Sequence, residues 1–339
     1  TLYSANCWEW AVSYHAIAKT GAVINPINVM LTSDEVKYVV EDSGTTAVLG
    51  SADKAESLLD LKGNNELKEV VLFGDTVPTG ATSFEEWLKS GTDTFEVAHR
   101  NREDPAAICY TSGTTGHPKG AMHSHRNILA NAEGTAMMHV RTGSDVMVNS
   151  LPLPHVYGTV VFNSGFMYGA KLVIVPRFEE EAVMSAIQQH RATILDGVPT
   201  AYYFLLAHPK FDDYDLSTLT RSTVGGQTLP VAKSLEWEER VGTAVLELWG
   251  MTELAGAATG NPYYGDNKPG TIGLVYPGSE GKVVSAEDPT LDLDFGDEGE
   301  FMFRGPLVML GYYGNDEATR DAMASGGWMH TGDIATQDE

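Results

Sequence analysis

"YTSGTTGHPKGAMHSH", Tyr110 to His125, places three glycines, three threonines and one lysine within its first eleven residues. Such a segment is too polar to bury and too rich in glycine to hold a regular element. Its backbone amides can crowd around an anion, its hydroxyls add hydrogen bonds, and Lys119 adds a point charge. That combination suits the phosphates of a nucleotide. The Walker A spacing is not met: counting from Gly113, Pro118 stands where the second glycine belongs and Gly120 where serine or threonine belongs. The dinucleotide spacing G-x-G-x-x-G is absent as well. A plain surface hairpin joining "AAICY" to "GAMHSH" would account for the glycines but not for the hydroxyls and the lysine.

Outward from this loop, helical and extended segments alternate. "TSDEVKYVVEDSG" opens with Thr32 three residues before Glu35, a capping-box spacing, sets Val36, Val39 and Val40 on one face, and stops at Gly44. "TTAVLG" follows as a short strand. The rhythm returns as "KLVIVP" (strand), "EEEAVMSAIQQH" (helix), "ATILDG" (strand) and "TAYYFLLAH" (helix). Near the start, "NCWEWAVSYHAIAKTGAVINP" reads as a helix leading into a strand. After about Gly260, "GTIGLVYPGSEGKVV" and "GEFMFRGPLVMLGYY" change to short, glycine-punctuated, alternating segments. The expected fold is α/β, with mostly parallel sheets flanked by helices, followed by a smaller antiparallel β-barrel-like subdomain. The expected division places α/β subdomains in residues 1–225 and the remainder of the core, with the barrel-like part, in 226–339.

The composition narrows the partners. Of 339 residues 42% are hydrophobic, a globular profile, and no stretch reaches the roughly 18 apolar residues of a membrane span. No cationic segment followed by an apolar run reads as a signal peptide. Cys7 and Cys109 cannot build a disulfide framework, so a reducing cytoplasm is expected. A net charge of −24 repels nucleic acid and anionic lipid. It fits a solvated acidic surface or adaptation to high salt, where self-repulsion is screened. A homodimer is left open. His117, His123 and His125 lack the partner set of a zinc site. "DLDFGDEGE" places Gly296 fifth and Asp297 sixth, against the glycine an EF-hand needs at six, and reads as a solvated turn.

"YTSGTTGHPKG" resembles the signature phosphate loop of the adenylate-forming (AMP-binding) superfamily, and further segments match its motifs in order. "KTGAVINPIN" resembles the early segment, "LPLPHVYG" the histidine–aromatic segment, "GGQTLP" the adenine-side turn and "LELWGMTE" the core motif. "GEFMFRGPLVMLGYY" is similar to the barrel motif and "HTGD" to the ribose motif. The resemblance points to the acyl-CoA synthetase, or fatty-acid–CoA ligase, branch. It implies ATP-dependent activation of a carboxylic acid to an acyl-adenylate with release of pyrophosphate, then transfer to coenzyme A.

By this resemblance, Thr111, Ser112, Gly113, Thr114, Thr115, Gly116 and Lys119 would hold the β- and γ-phosphates. Thr252 would meet the α-phosphate and Glu253 would ligate Mg²⁺, a hard cation that favours carboxylate oxygen. Trp249, standing where the family has tyrosine, would stack on adenine beside Gly225, Gly226 and Gln227. Glu247, Leu248, Gly250 and Met251 complete the nucleotide-binding motif, and Asp333 would take the ribose hydroxyls. His155, Tyr157, Gly158, Tyr203 and Gly250 would line the acyl pocket. Lys119, His155, Thr252 and Glu253 are the candidate catalytic residues.

"VPTAYYFLLAHP" is similar to the pocket helix of fatty-acyl-CoA synthetases, and no arginine stands near Phe204 to pair a second carboxylate. A small-molecule carboxylic acid, best a fatty acid, is therefore the expected substrate, ahead of an aryl acid and well ahead of an amino acid. The resemblance further implies an N-terminally incomplete large domain, without the small C-terminal lid and its catalytic lysine. On that expectation the chain is weakly active or inactive alone. A lid-less, non-catalytic nucleotide-binding module is the alternative.

Overall fold

The computed structural model describes residues 1–63, 66–111 and 117–338. Four strands, β1 (Leu2–Tyr3), β2 (Ala47–Ser51), β3 (Glu69–Phe73) and β4 (Thr82–Ser83), form a parallel sheet in chain order. The helix Ser33–Asp42 leads into β2 and starts from the expected capping box, with the Thr32 side chain on the Glu35 amide and Glu35 returning to the Thr32 amide. The helix expected near the start is present as Trp8–Thr20 and ends at Gly21 with φ of 75°. The strand expected after it does not form. Residues 22–27 make only single bridges, Ile24 to Ala107 and Leu2 to Pro26. Pro26 has no amide hydrogen for a ladder, and the segment divides its backbone bonds between two neighbours, the Ile24 carbonyl accepting the Ile108 amide and the Asn25 carbonyl the Leu2 amide.

Next come β5 (Pro105–Tyr110) and β6 (Gly120–Ser124), an antiparallel pair in which Tyr110 faces Gly120. The two flanks of the glycine-rich loop, Tyr110 and Gly120, thus sit side by side at one end of the hairpin. Ser124 and Asn127 then form a second capping box that launches helix His125–Met138.

The central sheet contains β7 (Val146–Asn149), β8 (Lys171–Ile174), β9 (Ile194–Gly197), β10 (Arg221–Val224), β11 (Val245–Met251), β12 (Gly256–Gly260) and β13 (Leu274–Val275). Its order is β13-β12-β11-β10-β9-β7-β8, parallel from β8 to β11 and antiparallel beyond. β10 and β11, which lie on either side of Gly225 in the chain, are hydrogen-bonded neighbours. The helices Glu180–His190, Pro199–Ala207 and Val231–Val241 lay Ile187, Tyr202, Leu205 and Trp237 on Val148, Leu195 and Val224 of this sheet. A second apolar cluster joins Trp10 and Tyr14 to Val71, Ala107 and Phe162, so the first sheet and the hairpin share a core with helix Val156–Tyr168.

The chain closes with β14 (Glu280–Val284), β15 (Glu298–Arg304), β16 (Gly311–Tyr312) and β17 (Met329–Thr336). The expected switch to antiparallel pairing is present: β14, β15 and β17 make a three-stranded sheet. The short β16 leaves that sheet and pairs with β6, so the C-terminal part of the chain reaches back to the glycine-rich hairpin.

Candidate functional site

The segment Trp249–Glu253 is fixed by a bulge and a turn. β11 shifts register between Trp249 and Gly250, where it pairs with β12. A Cβ at Gly250 would lie 2.0 Å from the Gly256 carbonyl oxygen, so only glycine lets the two strands approach there. After Met251 the chain turns through one 3₁₀ element, Thr252–Leu254. Two buried side chains, His123 and Asn131, hold that turn, and Asn127 holds the segment around Leu307. His123 Nε2 lies 2.7 Å from the Thr252 carbonyl, which can only accept, so the ring carries its proton there. Asn131 donates from one amide nitrogen to the carbonyls of Leu254 and Ala257, each at 2.8 Å. Asn127 reaches the carbonyls of Pro306 and Val308 in the same way. Burial holds the His123 imidazole down to about 4, so it is neutral at neutral pH.

At one end of this segment, the Trp249 indole nitrogen donates to Asp333 Oδ2 across 2.7 Å. The ring meets Phe301 edge-on, with centroids 5.2 Å apart. Asp333 itself sits on β17, exposed, behind Gly332 at φ of 73°. Its motif is anchored to β15: His330 Nδ1 lies 2.9 Å from Glu300, the Gly332 amide donates to the same carboxylate, and the Thr331 hydroxyl donates to the Phe301 carbonyl.

At the other end, Glu253 Oε1 accepts the phenol of Tyr312 at 2.6 Å, and the Glu253 carbonyl accepts the Met309 amide. Lys119 Nζ lies 5.2 Å from the centre of the Tyr312 ring. Thr111 and Lys119 are joined by a backbone hydrogen bond, Thr111 N–H to Lys119 carbonyl, 2.9 Å. Ser112, Gly113, Thr114, Thr115 and Gly116 lie outside the described residues. The shoulders of the loop rest on one helix: Tyr110 donates to Asp42, and His117 stacks on Tyr38 with centroids 4.5 Å apart.

The other expected residues are placed as follows. Gly225, Gly226 and Gln227 follow β10, with Gly225 packed against Leu248 and Gly226 at φ of 88°. Leu248 belongs to a buried cluster with Tyr157 and Leu254. Glu247 is buried, its carboxylate accepting the Gly270 amide at 2.5 Å, and burial pushes that carboxyl above its usual range. His155 caps helix Val156–Tyr168, its Nδ1 accepting the Tyr157 amide. A side chain at Gly158 would strike the Pro152 carbonyl, which explains the glycine by packing. The Tyr157 phenol is buried against Thr223 Oγ1 at 2.8 Å, and that hydroxyl donates to Asp196. Tyr203 stands half-exposed, with Lys233 over its ring at 5.8 Å.

Among the described residues no group of three or more His, Cys, Asp or Glu side chains is placed to hold a metal ion. Glu253 offers one carboxylate with one oxygen already engaged. That donor set fits Mg²⁺ arriving on phosphates, since this ion keeps several waters and uses one or two carboxylates. No helix among the described residues is long and apolar enough to cross a membrane.

Sequence reading missed His123, Asn127, Asn131 and Tyr312. A signal existed for the first: in "GAMHS" the strand period sets His123 on the face of Ala121, and both are fully buried. The asparagines and the tyrosine act on residues more than fifty positions away, for which no local signal exists.

The chain is 30% identical over 363 residues to a long-chain-fatty-acid–CoA ligase of Bacillus subtilis, covering 98% of this chain and 64% of that protein. Its fold superposes on the anthranilate CoA ligase AuaEII in complex with anthranoyl-AMP with a TM-score of 0.92, at 29% identity, over 98% of this chain and 64% of that one. ATP-bound MatB from Rhodopseudomonas palustris gives a TM-score of 0.90 at 30% identity, over 100% and 66%. The chain spans 64–65% of the length of the curated relatives it matches first. The profile of the AMP-binding enzymes matches residues 1–313, a range that includes the hairpin, the bulged strand and Tyr312, and the chain belongs to that family.

Proposed function

We propose that this chain forms the nucleotide- and acid-binding part of an ATP-dependent acid–thiol ligase. A carboxylate oxygen attacks the α-phosphorus of ATP, pyrophosphate leaves, and the acyl group of the resulting acyl-adenylate passes to the thiol of coenzyme A. The problem such a site must solve is electrostatic: two anions have to meet at one phosphorus. Lys119 and the loop that begins at Thr111 would neutralise the β- and γ-phosphates, and Thr252 would hydrogen-bond the α-phosphate. Glu253 would orient Mg²⁺, which supplies charge neutralisation on the departing phosphates. Trp249 and Gly225–Gln227 would receive adenine, and Asp333 the ribose. His155 and Tyr157 would flank the incoming carboxylate. His155 need not act as a base, because a carboxylate is already ionised at neutral pH.

One observation carries this reading. Asp333 contacts Trp249 and the Lys119–Tyr312 pair contacts Glu253, so the expected ribose and phosphate groups meet the two ends of a single five-residue segment. That segment spans at most ~14 Å of chain. A fatty acid is the favoured substrate: the helix Pro199–Ala207 carries no charged residue and is mostly aliphatic and aromatic, and curated relatives carry the name long-chain-fatty-acid–CoA ligase. An aryl acid is the second reading, favoured by the anthranoyl-AMP held in a structural neighbour. The test is exchange of labelled pyrophosphate into ATP by the full gene product, with fatty, aryl and amino acids supplied in turn. Exchange should depend on a fatty or aryl acid; equal exchange with amino acids alone overturns the substrate assignment.

A further inference from the structure

Tyr312 belongs to none of the roles above, yet it touches two of the residues that carry them. Its phenol donates to Glu253 Oε1 at 2.6 Å, and its ring lies beneath the Lys119 ammonium at 5.2 Å. The side chain is rooted firmly. Its residue pairs with Ala121 of β6, its amide donates to the Thr319 hydroxyl, and the neighbouring Leu310 and Tyr313 amides donate to the Met122 and Gly120 carbonyls. The strand that bears Lys119 at its edge therefore also fixes the residue that reaches Glu253.

We propose that Tyr312 is a positioning residue that sets the metal-facing carboxylate of Glu253 and the phosphate-facing ammonium of Lys119 relative to one another, an inference that rests on the nucleotide reading above. The phenol engages one carboxylate oxygen and leaves the other to face a cation, so the carboxylate is not free to rotate between the two. The ring face gives Lys119 a resting contact weak enough to yield to the charge of a triphosphate. The same side chain thus arranges both cationic partners of the leaving pyrophosphate before it arrives.

The test is calorimetric titration of this chain with ATP across a Mg²⁺ series, and with AMP without metal. Tyr312→Phe keeps the ring and removes the hydroxyl, whereas Tyr312→Leu removes both. Tyr312→Phe should raise the Mg²⁺ concentration that half-saturates ATP binding by about tenfold, the worth of a hydrogen bond to a charged group, while AMP affinity stays unchanged. Tyr312→Leu should show the same shift and also bind ATP more weakly at saturating Mg²⁺. A wild-type Mg²⁺ profile in Tyr312→Phe, or equal losses of ATP and AMP affinity, overturns the inference. Glu253→Gln and Lys119→Ala separate the two levels. If they respond and Tyr312→Phe does not, only the role of Tyr312 falls; if they too are silent, the nucleotide reading falls with it.

Discussion

The indole N–H of Trp249 and the carboxylate of Asp333 meet at 2.7 Å, although 84 residues separate them in the chain. The bond ties the central sheet to the antiparallel sheet at the point where adenine and ribose would lie side by side. It leaves Asp333 Oδ1 free, so the sugar hydroxyls would be read by a carboxylate already turned toward them. Trp249→Phe keeps an aromatic face and deletes the donor. AMP affinity should fall about threefold, as expected for one partly exposed hydrogen bond. The ratio of AMP to 2′,3′-dideoxy-AMP affinity should shrink along with it. An unchanged ratio would show that the indole acts by stacking alone.

Lys119 offers a sharper test of the loop. Lys119→Ala should weaken ATP binding more than AMP binding, by about tenfold, because AMP carries no β- or γ-phosphate. Identical losses for the two nucleotides would remove the loop from the site.

Arg141 and Asp196 form an ion pair at 2.5 Å with both side chains fully buried, and Thr223 donates to the same carboxylate oxygen. Removing one partner strands a charge in the interior. Arg141→Met should destabilise the fold by about 3–5 kcal/mol in urea denaturation, and adding Asp196→Asn should recover part of that loss. A change under about 1 kcal/mol would mean the pair is solvated in solution.

Acid should loosen the Thr252 turn through His123. Its folded pKa, about 4, lies below the ordinary value of 6.5, as does that of buried His139 at about 3. A depressed pKa contributes stability that is present above 6.5 and is lost as the pH falls toward the folded values. For His123 the loss amounts to about 3 kcal/mol between pH 6.5 and 4. His123→Gln keeps a donor for the Thr252 carbonyl and cannot protonate. Its stability should fall less steeply over that window, measured by thermal unfolding; an unaltered slope would place the acid sensitivity elsewhere.

Much of the architecture was legible because it depends on neighbours in sequence. The Thr32–Glu35 cap, the stop at Gly44, the flanks of the glycine-rich loop and the change to antiparallel pairing after Gly260 all follow from local spacing. The strand expected before Pro26 is cut to single bridges because the proline has no amide hydrogen and the neighbour changes from β5 at Ile24 to β1 at Pro26. Glycines read as nucleotide contacts have packing causes too: Gly250 admits β12, and Gly225 admits Leu248.

The order of motifs, the α/β alternation and the family were set by the sequence alone, because each is a matter of residue type and spacing along one chain. Only the folded molecule decided that His123 supports Thr252, that Tyr312 stands between Lys119 and Glu253, and that Trp249 grips Asp333. Those pairings join residues 59 to 193 positions apart, and no periodicity in a chain records which distant side chains a completed core will press together.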